Sequence, residues 1–297
     1  MAGVSLTNEQ RFKKIQNYID RMPSLSTTVT KVLEVCNQPN TSPNDLNRVI
    51  SLDPVLTGQV LKLINSAYYS LPNQITSLAR AIIMLGLNTV KNLALSTAIL
   101  GSLGKEDSFQ CLPMDTFWAH SICTGVVAKA LAARKKIAVS MREEYFVAGL
   151  LHDLGKIPLN NCFMEEYRQS LALADLEEGP LYRSEEMILG FDHGMAGKKI
   201  AEKWQFSPAI TESLCFHHNP AEAPEEHRDL IAIVALANIY ANIYDFGSAG
   251  DKFPSSVDVS TLQEMVGVSW DELVSLNETV TAEIEKAQVF LKVSREA

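Results

Sequence analysis

With 297 residues, 46% of them apolar, the chain is long enough to bury one large core or two smaller ones. Its net charge of −9 and pI near 5.2 argue against broad contact with nucleic acid or an anionic membrane, and the basic clusters Arg134-Lys135-Lys136 and Lys198-Lys199 read as solvated helix faces. Five scattered cysteines (Cys36, Cys111, Cys123, Cys162, Cys215) without C-x-x-C spacing, a start MAGVSLTNEQ without signal-peptide character, and a longest apolar stretch of only Leu230 to Ala237 lead us to expect reduced thiols in a cytoplasmic protein with no membrane span.

The elements read as helix almost throughout. Thr7-x-x-Gln10 has the form of a capping box and predicts a helix over about 8–20. Leu25, Val29, Val32, Leu33 and Cys36 recur at three- and four-residue intervals on one stripe, and Pro39 stops that helix. Ser42-Pro43 and Asp53-Pro54 are two further entrances, each with proline just inside a polar cap. Asn65 to Pro72 reads as a helix end and loop. Leu78, Ile82 and Leu85 then predict a helix closed by a left-handed Gly86, with Asn88 capping the next. That second helix, Thr89 to Leu100, offers one lysine and many aliphatics, which suits a buried hairpin and not a DNA-reading helix. The stretch Gly101 to Pro113 breaks the pattern and marks a boundary between two helical lobes. Helices follow near 115–134 and 141–153, an irregular segment to about 183, helices near 184–190, 194–204, 208–217 and 226–244, a polar stretch over 245–258, and a terminal pair of short helices capped at Ser269 or Asp271.

Five of the six histidines fall at or near the ends or inner faces of separate predicted helices: His120, His152 beside Asp153, His193, and the doublet His217-His218. Helical bundles assemble metal sites in this way, and imidazole with carboxylate suits one or two divalent ions of iron, manganese or zinc. Gly155 is expected to turn the backbone sharply beside the His-Asp pair, and Lys156 to set an ammonium against a carboxylate or a substrate phosphate. His227, within Glu225-Glu226-His227-Arg228, reads as solvent-exposed.

The order His120, His152-Asp153-Leu-Gly-Lys156, Asp-His193-Gly, His217-His218 and the helix ending at Asn238 resembles the HD superfamily of metal-dependent phosphohydrolases. The upstream run SLDPVLTGQVLKLINSAYY (51–69), followed by ITSLARAIIMLGL (75–87), is similar to the HDOD family, its bacterial signal-transduction branch, over roughly residues 20 to 220. The resemblance implies an all-α, HD-superfamily-like helical bundle. It would comprise an N-terminal lobe (1–105), an HD-like lobe with the metal site (106–250) and a C-terminal extension (251–297). It further implies a regulatory protein acting through signalling protein partners, with metal at His120, His152, Asp153, His193, His217 and His218. The alternative it implies is a phosphohydrolase acting on a nucleotide or other phosphorylated small molecule, with Asp153 and Lys156 as catalytic residues; no nucleic-acid partner is expected. The LHDLGK stretch also resembles the HD-GYP branch, but Asn219-Pro220-Ala221-Glu222 stands where that branch has its Gly-Tyr-Pro loop. Catalytic HD proteins present an aspartate on the late helix; here Asn238 has its shape without its charge.

Overall fold

A computed structural model describes residues 6–38, 40–103, 111–254 and 256–295, so Pro39 and the part of the 101–113 boundary over 104–110 lie outside the described residues. Among the described residues the elements are helical and none is a strand, the all-α architecture expected. No single helix among them is long and apolar enough to cross a membrane.

Helix α1 (Asn8–Arg21) starts at the predicted capping box, with Thr7 and Gln10 satisfying each other's backbone N–H groups. Helix α2 (Thr27–Cys36) starts at Ser26 and buries Val29, Val32 and Leu33. Helices α3 (Pro43–Ile50) and α4 (Pro54–Ile64) open on the caps Ser42 and Asp53 with proline in the first turn. Helix α5 (Leu78–Leu85) ends at Gly86, whose φ of 88° is positive as expected, but whose ψ of 157° extends the chain instead of closing it in the left-handed helical region. Helix α6 (Leu87–Leu103) consequently begins one residue later. Asn88 lies inside its first turn and does not cap it; its amide instead reaches Met141 Sδ. Helix α6 is buried along most of its length, Lys91 included, so it presents no recognition face.

Helix α7 (Met114–Arg134) and helix α8 (Arg142–Leu151), joined through a 3-10 turn at Val139–Met141, form the central hairpin. Their backbones meet at two glycines. A Cβ on Gly149 would lie 2.8 Å from the Cα and N of Gly125, and one on Gly125 would lie 2.6 Å from the Phe146 carbonyl oxygen. Residues 154–183, expected to be irregular, fold into α9 (Lys156–Cys162), α10 (Met164–Glu177) and the start of α11 (Leu181–Leu189). Pro158 reads as a breaker, yet it sits in the first turn of α9, where a missing N–H costs nothing. Leu159, Phe163, Tyr167 and Ala174, at four- and seven-residue spacings, carry the buried side.

Helices α12 (His193–Lys203), α13 (Pro208–Phe216) and α14 (Arg228–Ile243) follow, α14 packing on α7 with Leu230 to Ala241 all buried. Beyond the 245–254 stretch the chain makes four helices where a pair was expected: α15 (Ser256–Val266), α16 (Trp270–Val274), α17 (Asn277–Ala287) and α18 (Val289–Arg295). Ser269 caps α16 through a capping box with Glu272. Leu262, Val266, Leu273, Val280, Ile284 and Phe290 hold them to the body.

The two ends of the chain cross over the body. Helix α1 packs on α9 and α12, where Lys14 donates to the Cys162 carbonyl at 2.6 Å and Lys203 to the carbonyls of Ile19 and Met22 at 2.7 and 2.8 Å. Helix α18 packs on α4 and α6. Because nothing at the Gly125–Gly149 crossing can retreat except backbone, Gly149→Ala should destabilise the fold by about 1–3 kcal/mol through overpacking. Thermal unfolding followed by circular dichroism should show the melting point falling by about 2–4 °C per kcal/mol.

Candidate metal centre

The fold brings all six predicted donors into one place. His120 lies on the inner face of α7, His152 and Asp153 directly after α8, His193 at the first position of α12, and His217 and His218 directly after α13. That α13 ends at Phe216 decides how adjacent residues can converge: outside the helix their rings approach to 4.1 Å between centroids instead of diverging by about a hundred degrees. His120, His152, Asp153 and His193 have no exposure, His217 has 2%, and His218 is half-buried. Ligand atoms of His120, His152 and Asp153 lie within 4.8 Å of one another, as do those of His193, His217 and His218. Asp153 joins the two sets: Oδ2 is 3.2 Å from His152 Nε2 and 3.8 Å from His120 Nε2, while Oδ1 is 3.2 Å from His193 Nε2 and 3.7 Å from His217 Nε2.

The outward-facing ring nitrogens fix which atoms point inward. His152 Nδ1 donates to the Gly149 carbonyl at 2.7 Å, and His217 Nδ1 faces the carbonyls of Ser213 and Leu214 at 3.2 Å. His193 Nδ1 donates to Glu185 Oε2 at 2.6 Å. The Nε2 atoms of these three rings therefore face the same small volume, and His152 Nε2, buried there, has no hydrogen-bond partner. A buried imidazole nitrogen left without a donor, beside a carboxylate and four further imidazoles, is what a cation requires, and the donor set fits one or two divalent ions.

The donor groups also shift one another's protonation. Burial opposes a charge on His193, but the Glu185 carboxylate outweighs it and, with Asp153, raises the imidazole to about 10. Its Nε2–H then serves Asp153 and the neighbouring imidazoles, His217 Nε2 at 3.2 Å and His218 Nε2 at 2.9 Å. Burial lowers His120 to about 4 and holds His217 and His218 well below the usual histidine range. Burial also works against the charge on Asp153, yet His152 and Lys156 hold its carboxyl well below the usual carboxylate range.

Lys156 is fully committed. Its ammonium donates to Asp153 Oδ2 at 2.9 Å, the Ala249 carbonyl at 2.9 Å and Asp251 Oδ2 at 2.7 Å, with no exposure. Asp251 in turn accepts from the Leu181 N–H at 3.0 Å. Asn238, on α14, places Oδ1 2.9 Å from His120 Nε2, and the same oxygen accepts from Asn242 at 3.4 Å. Gly155 has an ordinary right-handed helical conformation (φ −65°, ψ −17°), so the expected sharp turn is not its purpose. A Cβ there would run into the carbonyl of His193, and the glycine lets α12 come close enough to bring that histidine in. His227 is partly buried and paired with Glu212 at 2.6 Å, away from the centre, where an exposed side chain was expected.

Glu185 and Asp251 are supporting residues that the sequence reading did not single out. For Glu185 the signal was present, since a carboxylate lies on the same helical face as Leu181 and Leu189. For Asp251, in a polar loop, there was none. Among the described residues a cleft of ≈ 50 Å³ opens beside the centre, lined by Tyr182, His217, His218, Asn238, Asp251, Phe253 and their neighbours. The Tyr182 ring stacks on His218 at 4.5 Å.

The family model of the HDOD domain matches residues 22–220. The chain belongs to the HDOD domain family. This HDOD chain is 25% identical over 243 residues to an uncharacterised protein of Treponema pallidum (strain Nichols), covering 82% of this chain and 46% of that protein, so it spans about half the length of the curated relative it matches. A crystal structure of an HDOD domain protein of unknown function from Geobacter sulfurreducens is 25% identical, with a TM-score of 0.74 over 96% of this chain and 99% of that one. A candidate phosphohydrolase from Shewanella amazonensis SB2B is 23% identical, with a TM-score of 0.70 over 95% and 98% of the two chains, and shares the fold.

Glu185 fixes the tautomer and basicity of His193, so Glu185→Gln should lower the affinity for added Mn²⁺ about tenfold or more while the helical content stays unchanged. Titration calorimetry checks it; equal affinity would leave Glu185 a packing residue only.

Proposed function

We propose that this HDOD protein is a signal-transduction module whose output depends on the occupancy of a divalent metal centre, and that it does not turn over a phosphoester. His120, His152 and Asp153 would hold one ion and His193, His217 and His218 a second, or the six would share one. Such imidazole-rich donors suit iron, manganese or zinc. A bound ion in this class of site supplies Lewis acidity and an activated water.

The observation that carries the regulatory reading is the commitment of Lys156. Its three N–H donors are spent within the protein, and no lysine or arginine is among the described residues that line the cleft, so Lys156 is not free to hold a phosphate there. Asn238 adds to this. Its neutral amide accepts from His120 but has no charge to offer a metal and cannot take a proton from water. The remaining residues act as holders: Glu185 orients His193, the Gly149 carbonyl orients His152, and Asp153 stays ionised through Lys156. A signalling protein on a separate chain would read the metal-dependent state, as the family resemblance implies.

One feature supports a phosphohydrolase as the second reading: the cleft reaches His217 and His218, so a ligand from solvent has a route to that half of the centre. Elemental analysis of protein purified without chelator, with a phosphodiesterase assay on bis-p-nitrophenyl phosphate in added Mn²⁺ or Fe²⁺, separates the two. Near-stoichiometric metal without turnover is the expected result. Turnover that disappears in Asp153→Ala would establish the hydrolase instead. Asn238→Asp supplies the missing charge next to His120 and should raise Mn²⁺ affinity about tenfold; unchanged affinity in calorimetry would remove residue 238 from the centre.

A further inference from the structure

The hairpin that carries His120 and His152 carries a second buried polar cluster at its other end. Lys129 on α7 donates to Glu143 Oε2 on α8 at 2.6 Å and to the Tyr68 hydroxyl at 3.1 Å. The Tyr69 hydroxyl donates to Glu143 Oε1 at 2.8 Å. Both oxygens of Glu143, a residue 2% exposed, are thus taken up, one by the hairpin itself and one by the N-terminal helices. The ammonium of Lys129 also lies 4.5 Å from the centre of the Tyr68 ring and 5.2 Å from that of Tyr69. The Tyr68 ring packs on Phe146 of α8 at 5.7 Å and on Phe290 of α18 at 5.4 Å. Three parts of the chain therefore meet on one end of α7–α8: the turn after α4, the hairpin and the last helix.

The two clusters are in register. His120 and Lys129 are nine residues apart on α7, and Glu143 and His152 are nine residues apart along α8, about 13 Å or two and a half turns in each case. Between them lies the crossing of Gly125 and Gly149, where backbone touches backbone. The closest contacts there are backbone, which cannot rotate away as a side chain can, so the crossing is a stiff point of contact between α7 and α8.

From this we infer that the Tyr68-Tyr69 turn and the Lys129–Glu143 pair form a clamp that reports the state of the metal centre to the N-terminal lobe. The clamp has two discrete arrangements, because Glu143 either keeps both its hydroxyl and ammonium partners or loses the hydroxyl from the other lobe. Drawing His120, His152 and Asp153 around an ion sets the far end of the hairpin, and coupling of this kind is reciprocal: what loosens the clamp weakens the metal, and the metal tightens the clamp. The inference rests on the reading of the histidine cluster as a metal centre.

The test uses the full chain and Mn²⁺ as the probe. Tyr69→Phe removes one hydroxyl and Glu143→Gln removes the charge, and neither residue lies near the donors. Each should weaken Mn²⁺ binding about five- to thirty-fold in calorimetry. Leu46→Ala, which empties a buried site in the same lobe away from the clamp, should leave the affinity within twofold. In the unsubstituted protein, Mn²⁺ should slow amide hydrogen exchange across residues 65–72, a readout that does not depend on any variant folding. Unchanged exchange at 65–72 on saturation with Mn²⁺ would overturn the clamp, and so would equal losses of affinity in Leu46→Ala and Tyr69→Phe, since both would then reflect general loosening. Failure of the unsubstituted protein to bind Mn²⁺, Fe²⁺ or Zn²⁺ at all would overturn the metal reading itself, and is distinguishable because it appears before any substitution is made.

Discussion

The ionised carboxylate of Asp153, buried without access to water, is the constraint on which the rest of the centre depends. Removing a carboxylate from water costs several kcal/mol even after relaxation, and the cost is met only where the geometry of its partners is good and their own polar groups are satisfied. Lys156 answers the carboxylate three residues on, within the turn that opens α9. That ammonium, itself buried, then needs Asp251 and the Ala249 carbonyl, which ties the loop after α14 to the start of α9. Asp251 is fixed by the first N–H of α11, and α11 carries Glu185, which orients His193. One buried charge thus recruits five separate segments, and the chain of dependence runs in a circle back to the imidazoles around Asp153.

Backbone proximity is the second half of that design. Gly155 admits α12 to the His-Asp turn, and Gly125 with Gly149 admits α8 to α7. In each case the glycine is required by what lies opposite and not by its own dihedral angles. The result is that imidazoles from four segments reach a common volume on side chains only two bonds long from backbone to ring. Larger residues at these points would spread the donors apart before they changed any chemistry.

Much of this was legible in the sequence because the signals are local. Caps at Thr7, Ser42, Asp53 and Ser269 depend on atoms within three residues, and the aliphatic stripe of α2 states its own period. The donor residues were legible because histidine is rare in the chain and each stands at a helix end or, for His120, on a buried helix face. What stayed hidden is non-local. Pro158 and the paired Asn160-Asn161 look like a loop until Phe163 and Tyr167 are seen to be buried against distant helices. Gly155 has the sequence appearance of a turn glycine, and only the carbonyl of His193, 38 residues away, gives its actual reason. Asp251 lies in a stretch with no period at all, so its partner could not be named before Lys156 was placed beside it.

On the regulatory reading proposed above, a centre built in this way keeps few groups free to act on a substrate: the Lys156 ammonium is neutralised, and the late-helix residue is an amide. On the same reading the quantity free to vary is the charge inside the donor set, which a divalent cation held among the imidazoles and Asp153 would change. A change of charge in a dry interior is felt strongly, because effective dielectric screening is weak there. On that reading the helices that hold the donors, with α7 and α8 in backbone contact at Gly125 and Gly149, are the elements placed to respond to it. Committing Lys156 and Asn238 to partners within the protein therefore favours conformational response over catalysis, which is the property the proposed signalling role requires.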